Sequence, residues 1–167
     1  MAYYLGIDPG LSEVGFGIID FHKGKSEFID CGIIKTTPKN TFAERLHIIK
    51  NDLSDLLKEY KYEAVGIEEL FFAKNVTNGI KVAGARGVIV ETIHVNKVPM
   101  YDFTPLEVKN NICGYGKADK IQIQEMVKRL LGLDKRPRPY DAADALAIAI
   151  ITAEKNQNTK ILSSASA

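Results

Sequence analysis

Apolar residues over the first 36 positions fall into three short runs, 3–8, 14–20 and 28–36. Asp8-Pro9-Gly10 separates the first two, and a polar stretch at 22–25 separates the second from the third. Runs of this length bounded by turn formers predict strands, and the short connections predict antiparallel hairpins. Residues 41–60 change to a helical period, with Phe42, Leu46, Ile49, Leu53 and Leu57 on one face. Thr41 reads as the N-cap, and Glu44 completes a capping box with it. A brief apolar run, 64–67, predicts a buried strand. A helix is expected over 74–93, a strand over 97–103 and a short helix from Pro105 to about Ile112. After Gly114-Tyr115-Gly116 an amphipathic helix is expected over 118–132, with Ile121, Met126, Val127, Leu130 and Leu131 inward. Pro137 and Pro139 precede a last helix, from about Tyr140 to Glu154. It is apolar nearly all round, which predicts burial on the sheet. Residues 155–167 are polar and rich in Ser and Ala, and read as a flexible tail.

Hairpin strands followed by strand–helix crossovers predict an α/β fold: a mixed five-stranded sheet flanked by helices. At 167 residues the chain suits one domain, expected over 1–154. The formal net charge is only +1, so no global field argues for an anionic partner. Charge is uneven, however: residues 104–138 carry eight Lys or Arg against four acids, a local excess of +4. Such a patch fits either a one-sided anionic ligand or a solvated helix face. Cys31 and Cys113 are unclustered, which argues against a disulfide framework or a zinc site. Without a signal-like leader or a long apolar stretch, the expectation is a reducing cytoplasm and no membrane span.

Four acids change the picture. Asp8 and Glu68 each end an apolar run after a Gly-Ile pair, and Asp141 and Asp144 lie three apart in the Ala-rich helix. If the strands ending at Asp8 and Glu68 pair in parallel, both acids emerge at one sheet end, where α/β folds place ligands. Asp141 and Asp144 share a helix face. Four converging carboxylates repel one another, and burial penalises them further. Divalent cations are their natural partner, and the set reads as a two-metal phosphodiesterase. Each acid taken singly has a plainer role. Asp8 can serve a turn, and Asp141 can serve a helix N-terminus. Glu68 competes with Glu69; Glu68 is preferred because it repeats the register of the first strand, while Glu69 would face the other way. His22, His47 and His94 sit in no motif. Phe71 and Phe72 follow the Glu pair, and an aromatic there can stack on an exposed base.

These residues carry a family resemblance. The segments LGIDPGLSEVGFGII, GIEELFFAKNVTNGIKVAGARGVI, YDFTPLEVKNNICGYGKADKIQIQEMVKRLLGL and DAADALAIAI, in this order, resemble the RuvC Holliday-junction resolvases over roughly residues 3–153. The resemblance implies a ribonuclease H-like fold. It also implies a homodimer that binds four-way DNA junctions and nicks two strands of like polarity symmetrically in recombination and repair, leaving 5′-phosphates. The implied cofactor is Mg²⁺, two ions per site, with Mn²⁺ as a substitute. The family's catalytic and metal-binding acids fall on Asp8, Glu68, Asp141 and Asp144, although some relatives carry His at the position of Asp141. Its base-contacting aromatic falls on Phe71, and its DNA-contacting lysines on Lys109 and Lys120. The helix from Lys81 to Val90 resembles the dimer-forming helix, where Ala83 and Gly84 permit close approach. Arg86 is left between facing DNA and pairing with an acid. A RuvA–RuvB branch-migration complex is the implied further partner.

Other readings predict different behaviour. Another nuclease of the same fold would prefer an RNA–DNA hybrid or a phage-type branched substrate. An actin-like ATPase needs a second Gly-rich acidic loop that the sequence lacks. A non-catalytic junction-binding protein would bind without cutting.

Overall fold

The computed structural model describes residues 1–70 and 76–165. The chain runs β1 (Tyr3–Asp8), β2 (Glu13–His22), β3 (Lys25–Lys35), α1 (Phe42–Glu59), β4 (Tyr62–Glu68), α2 (Val76–Val95), β5 (Met100–Phe103), α3 (Pro105–Cys113), α4 (Lys120–Leu130) and α5 (Tyr140–Ala165). The five strands form one sheet in the order β3-β2-β1-β4-β5. β1, β2 and β3 pair antiparallel, and β4 and β5 add in parallel. The expected mixed sheet is therefore present, with helices on both faces.

Strand alternation sorts the core into two halves. Leu5, Ile7, Val65 and Ile67 pack with Ile49 and Leu53 of α1 and with Ala85, Ile89 and Ile93 of α2. Tyr4 and Ala64 point the other way, into a cluster with Val108, Ile123, Val127 and the buried run of α5. That opposite face also carries Gly6, Gly17 and Gly66. A Cβ at Gly17 would come within 2.6 Å of the Leu146 backbone nitrogen, and side chains at Gly6 and Gly66 would collide with α5 as well. Bare backbone on the sheet and alanines on the helix let α5 settle against β1, β2 and β4. No helix among the described residues is long and apolar enough to cross a membrane.

Four expectations are corrected. β2 and β3 extend to a two-residue turn at Lys23 and Gly24, both with positive φ (51° and 77°). That backbone matches the right-handed twist of a hairpin. On α4 the inward residues are Ile123, Gln124 and Val127, while Ile121 and Leu130 are exposed. Phe42 is also exposed, though its ring lies over Gly84 of α2. Finally, α5 does not stop near Glu154 but continues to Ala165, so residues 155–165 are helical. The cause is polar: the buried Asn156 amide donates to the Tyr4 hydroxyl at 3.0 Å and its Oδ1 accepts from the Tyr101 hydroxyl at 3.0 Å. Lys160 adds an ion pair to Glu63 at 2.6 Å. Hydrophobic periodicity carries no trace of these contacts.

Candidate active site

Ile7 and Ile67 are parallel neighbours, so the next residues, Asp8 and Glu68, end adjacent strands side by side. Both follow the alternation that carries Tyr4, Gly6, Ala64 and Gly66 toward α5, and therefore face its first turn. That turn supplies Asp141 and Asp144. Carboxylate oxygens of Asp8, Asp141 and Asp144 lie within 4.8 Å of one another, a group that can hold a metal ion. Glu68 is outside that tight trio but lines the same cleft of about 600 Å³, with Glu13, Lys109, Asp119 and Lys120. Glu69 is exposed and lines a separate cleft with Arg86 and Asp102.

The electrostatics match the crowding. Burial, then the charges of Glu68, Asp144 and Asp141, push the Asp8 carboxyl up to about 8 against the opposing pull of Lys120. Burial and Asp144 raise Glu68 to about 7, with Lys109 and Lys120 opposing. Burial raises Asp144 to about 6; Lys120 and Lys109 pull it down, and Asp141 pushes it up. Among the described residues no ion pair involves any of the four acids. The donor set is all hard oxygen and short of positive charge, which suits Mg²⁺-like or Mn²⁺-like ions.

Lys109 of α3 and Lys120 of α4 both reach this cleft. Lys120 is the first residue of α4, where a cation opposes the helix dipole. Its ammonium lies 5.7 Å from the centre of the Tyr140 ring. Arg86 pairs with an acid: its guanidinium meets the half-exposed Asp102, and its Nε donates to the Glu68 carbonyl at 3.1 Å. Phe71 lies outside the described residues. Gly84 takes the Phe42 ring of its own chain, and Ala83 is half-buried. Sequence reading overlooked Glu13, which lines the acid cleft and pairs with Lys35 at 3.7 Å. Its place at the start of β2, just beyond the Asp8-Pro9-Gly10 turn, was the available signal.

A ribonuclease H-like α/β sheet with carboxylates gathered at one strand end, and lysines facing them, defines a nuclease of that fold class. The family model for the crossover junction endodeoxyribonuclease RuvC matches residues 4–152, and the chain belongs to that family. It is 46% identical over 158 residues to the crossover junction endodeoxyribonuclease RuvC of Clostridioides difficile, covering 95% of this chain and 94% of that protein. With the Thermosipho melanesiensis RuvC the identity is 50% over 145 residues, covering 87% and 92%. The Thermus thermophilus RuvC structure in complex with Holliday junction substrate superposes with a TM-score of 0.88 at 33% identity, covering 95% of this chain and 98% of that one. The expected fold and the expected enzyme class, a hydrolytic endodeoxyribonuclease, are those of this family.

Proposed function

We propose that this protein resolves four-way DNA junctions by paired, symmetric nicks, with Asp8, Glu68, Asp141 and Asp144 as its catalytic acids. The observation that carries the reading is the convergence of Asp8, Asp141 and Asp144 oxygens within 4.8 Å, beside Glu68 in one cleft. A Thermus thermophilus RuvC that superposes over 95% of this chain was solved in complex with Holliday junction substrate, which supports the substrate. Divalent ions, two Mg²⁺ with Mn²⁺ able to replace them, would activate water and stabilise the leaving oxygen when bound by these carboxylates. The chain's own contribution is to fix the acids on rigid elements and to supply cation charge at the phosphate. Lys109 and Lys120 fill that second role, neutralising charge that develops on the phosphate oxygens. Phe71 follows the strand that ends in Glu68 and would stack on a base opened at the junction.

The working unit in this reading is a homodimer, whose two-fold axis matches a near-symmetric junction. In this reading one nuclease domain, running through α5 to Ala165, acts in the cytoplasm, and a RuvA–RuvB complex would deliver the junction. Cleavage of a synthetic mobile four-way junction tests this, against duplex and RNA–DNA hybrid, with Mg²⁺ and with EDTA. Paired nicks that need Mg²⁺ and stay at the junction are expected. Asp8→Asn is expected to bind the junction and not cut it. Hybrid cutting instead would reassign the substrate, and binding without any cutting would make the protein a junction-binding scaffold.

A further inference from the structure

The acid cleft adjoins a second cavity with a basic rim. This cavity, of about 570 Å³, is lined by Lys35, Arg45 and Lys81 and shares Gly10, Glu13 and Asp141 with the acid cleft. Arg45 projects from the first turns of α1. Its Nε donates to Thr36 Oγ1 at 2.8 Å and its Nη2 to Ser12 Oγ at 2.8 Å. Thr36 is itself fixed, its hydroxyl donating to the Leu11 carbonyl at 2.5 Å and its backbone N–H to the Ser12 carbonyl at 2.9 Å. The guanidinium is thus tied to the turn that follows Asp8.

Hydroxyls orient a guanidinium without neutralising it. Among the described residues no carboxylate pairs with Arg45 or with Lys81. Arg45 spends two of its five donors on hydroxyls and keeps the rest for an anion. Lys35 is different, because it is paired with Glu13. That pair also offsets the charge of Glu13, which lines both cavities. Lys109 and Lys120 line only the acid cleft, while Arg45 and Lys81 line only its neighbour. The two pairs of cations therefore flank Gly10, Glu13 and Asp141 from different sides.

We propose that Arg45 and Lys81 bind a backbone phosphate of the DNA strand, beyond the scissile one and across the acids from Lys109 and Lys120. The proposal rests on the resolvase reading above. A strand crossing the acids would be gripped on both sides, with its scissile phosphate held between. Beside Leu11, Val82 and the shared acids Glu13 and Asp141, the lining presents three cations and two hydroxyls continuous with the acid cleft, which is chemistry for a sugar–phosphate backbone.

Junction affinity as a function of KCl concentration tests it, in Mg²⁺ and in an Asp8→Asn parent. The compared variants add Lys81→Gln, Arg45→Gln or Arg45→Lys. One phosphate contact contributes about 0.9 to the slope of log affinity against log salt. Lys81→Gln and Arg45→Gln are each expected to flatten the slope by roughly that amount and to weaken binding several-fold. Arg45→Lys is expected to keep the slope, since charge is retained, and to lose affinity through its poorer geometry. Lys81 is exposed, so Lys81→Gln leaves the fold intact and keeps the test decisive. Unchanged slopes in both Gln variants would overturn the subsite. A parent that fails to bind the junction would instead overturn the resolvase reading, and one that still cuts it would overturn the assignment of Asp8.

Discussion

Gly15 of β2 lies against the backbone of Asp141 in the first turn of α5, with no room for a Cβ between them. The same glycine is the register partner of Asp8 on β1. One position therefore sets how closely the helix that carries Asp141 and Asp144 approaches the strand that carries Asp8. Gly15→Ala is expected to lift the start of α5 and to cost about 1–3 kcal/mol of stability, as overpacking does. A displacement near 1 Å at the acids would slow cleavage about 10²-fold. Thermal melts and single-turnover junction cleavage check both. Cleavage at the wild-type rate would show that this contact does not place Asp141.

The raised carboxyls make the metal-free fold pH-dependent. Asp8, Glu68 and Asp144 move from 3.8, 4.5 and 3.8 to about 8, 7 and 6. Each binds its proton more tightly folded than unfolded, so the folded state holds more protons over that window and stability falls as pH rises. Their stabilising contribution is full below about pH 4 and is lost on the way to pH 8. Divalent ions require the ionised carboxylates and relieve their repulsion. The Mg²⁺-induced rise in Tm is therefore expected to grow from pH 5 to pH 8. Asp8→Asn is expected to melt higher than wild type at pH 8 in EDTA, and to gain little from Mg²⁺. A Mg²⁺ effect independent of pH would detach these groups from the metal.

Much of this site was legible because two periodicities carry it. Gly-Ile-acid at the ends of two strands fixes face and register together, and the spacing of Asp141 and Asp144 fixes a helix face. Glu68 was separable from Glu69 on the same ground. What stayed hidden depends on partners far apart in sequence. Arg45 reads as one more polar residue on α1, because Ser12, its hydroxyl partner, is 33 positions away. Ile121 was misplaced because it lies on the opposite side of α4 from Ile123 and Val127, and Leu130 because it shares their stripe yet stands exposed at the helix's last residue. The end of α5 escaped for a related reason: it is held by amide, hydroxyl and ammonium contacts.

That polar attachment makes its own prediction. Asn156 joins the Tyr4 and Tyr101 hydroxyls, and Tyr4 is fully buried. Asn156→Leu removes the acceptor of the Tyr101 hydroxyl and one of two amide donors to the Tyr4 hydroxyl, Gln157 being the other at 3.2 Å, at a cost of about 1–3 kcal/mol. Deleting residues 155–167 removes the same bonds together with the Lys160–Glu63 pair, and is expected to lower Tm at least as far. Neither change touches the acids, so cleavage well below Tm should persist. Loss of cleavage by a folded Asn156→Leu protein would give this end of α5 a role beyond stability.

Lys120 stands where a helix disfavours a cation, at the first residue of α4, and it opposes the raised values of Asp8, Glu68 and Asp144. Lys120→Gln removes an unfavourable dipole contact and a charge that helps these acids ionise. Thermal stability is expected to change by less than about 1 kcal/mol, since the helix-end term is of that size. Cleavage is expected to fall on the order of 10²-fold or more, as for other losses of charge stabilisation at a reacting centre. Without Lys120 the acids hold their protons to higher pH, so the rising limb of the pH–rate profile should move upward. A mere binding lysine predicts weaker affinity with the limb unmoved. Single-turnover rates at saturating protein, measured from pH 5.5 to 9, separate the two roles.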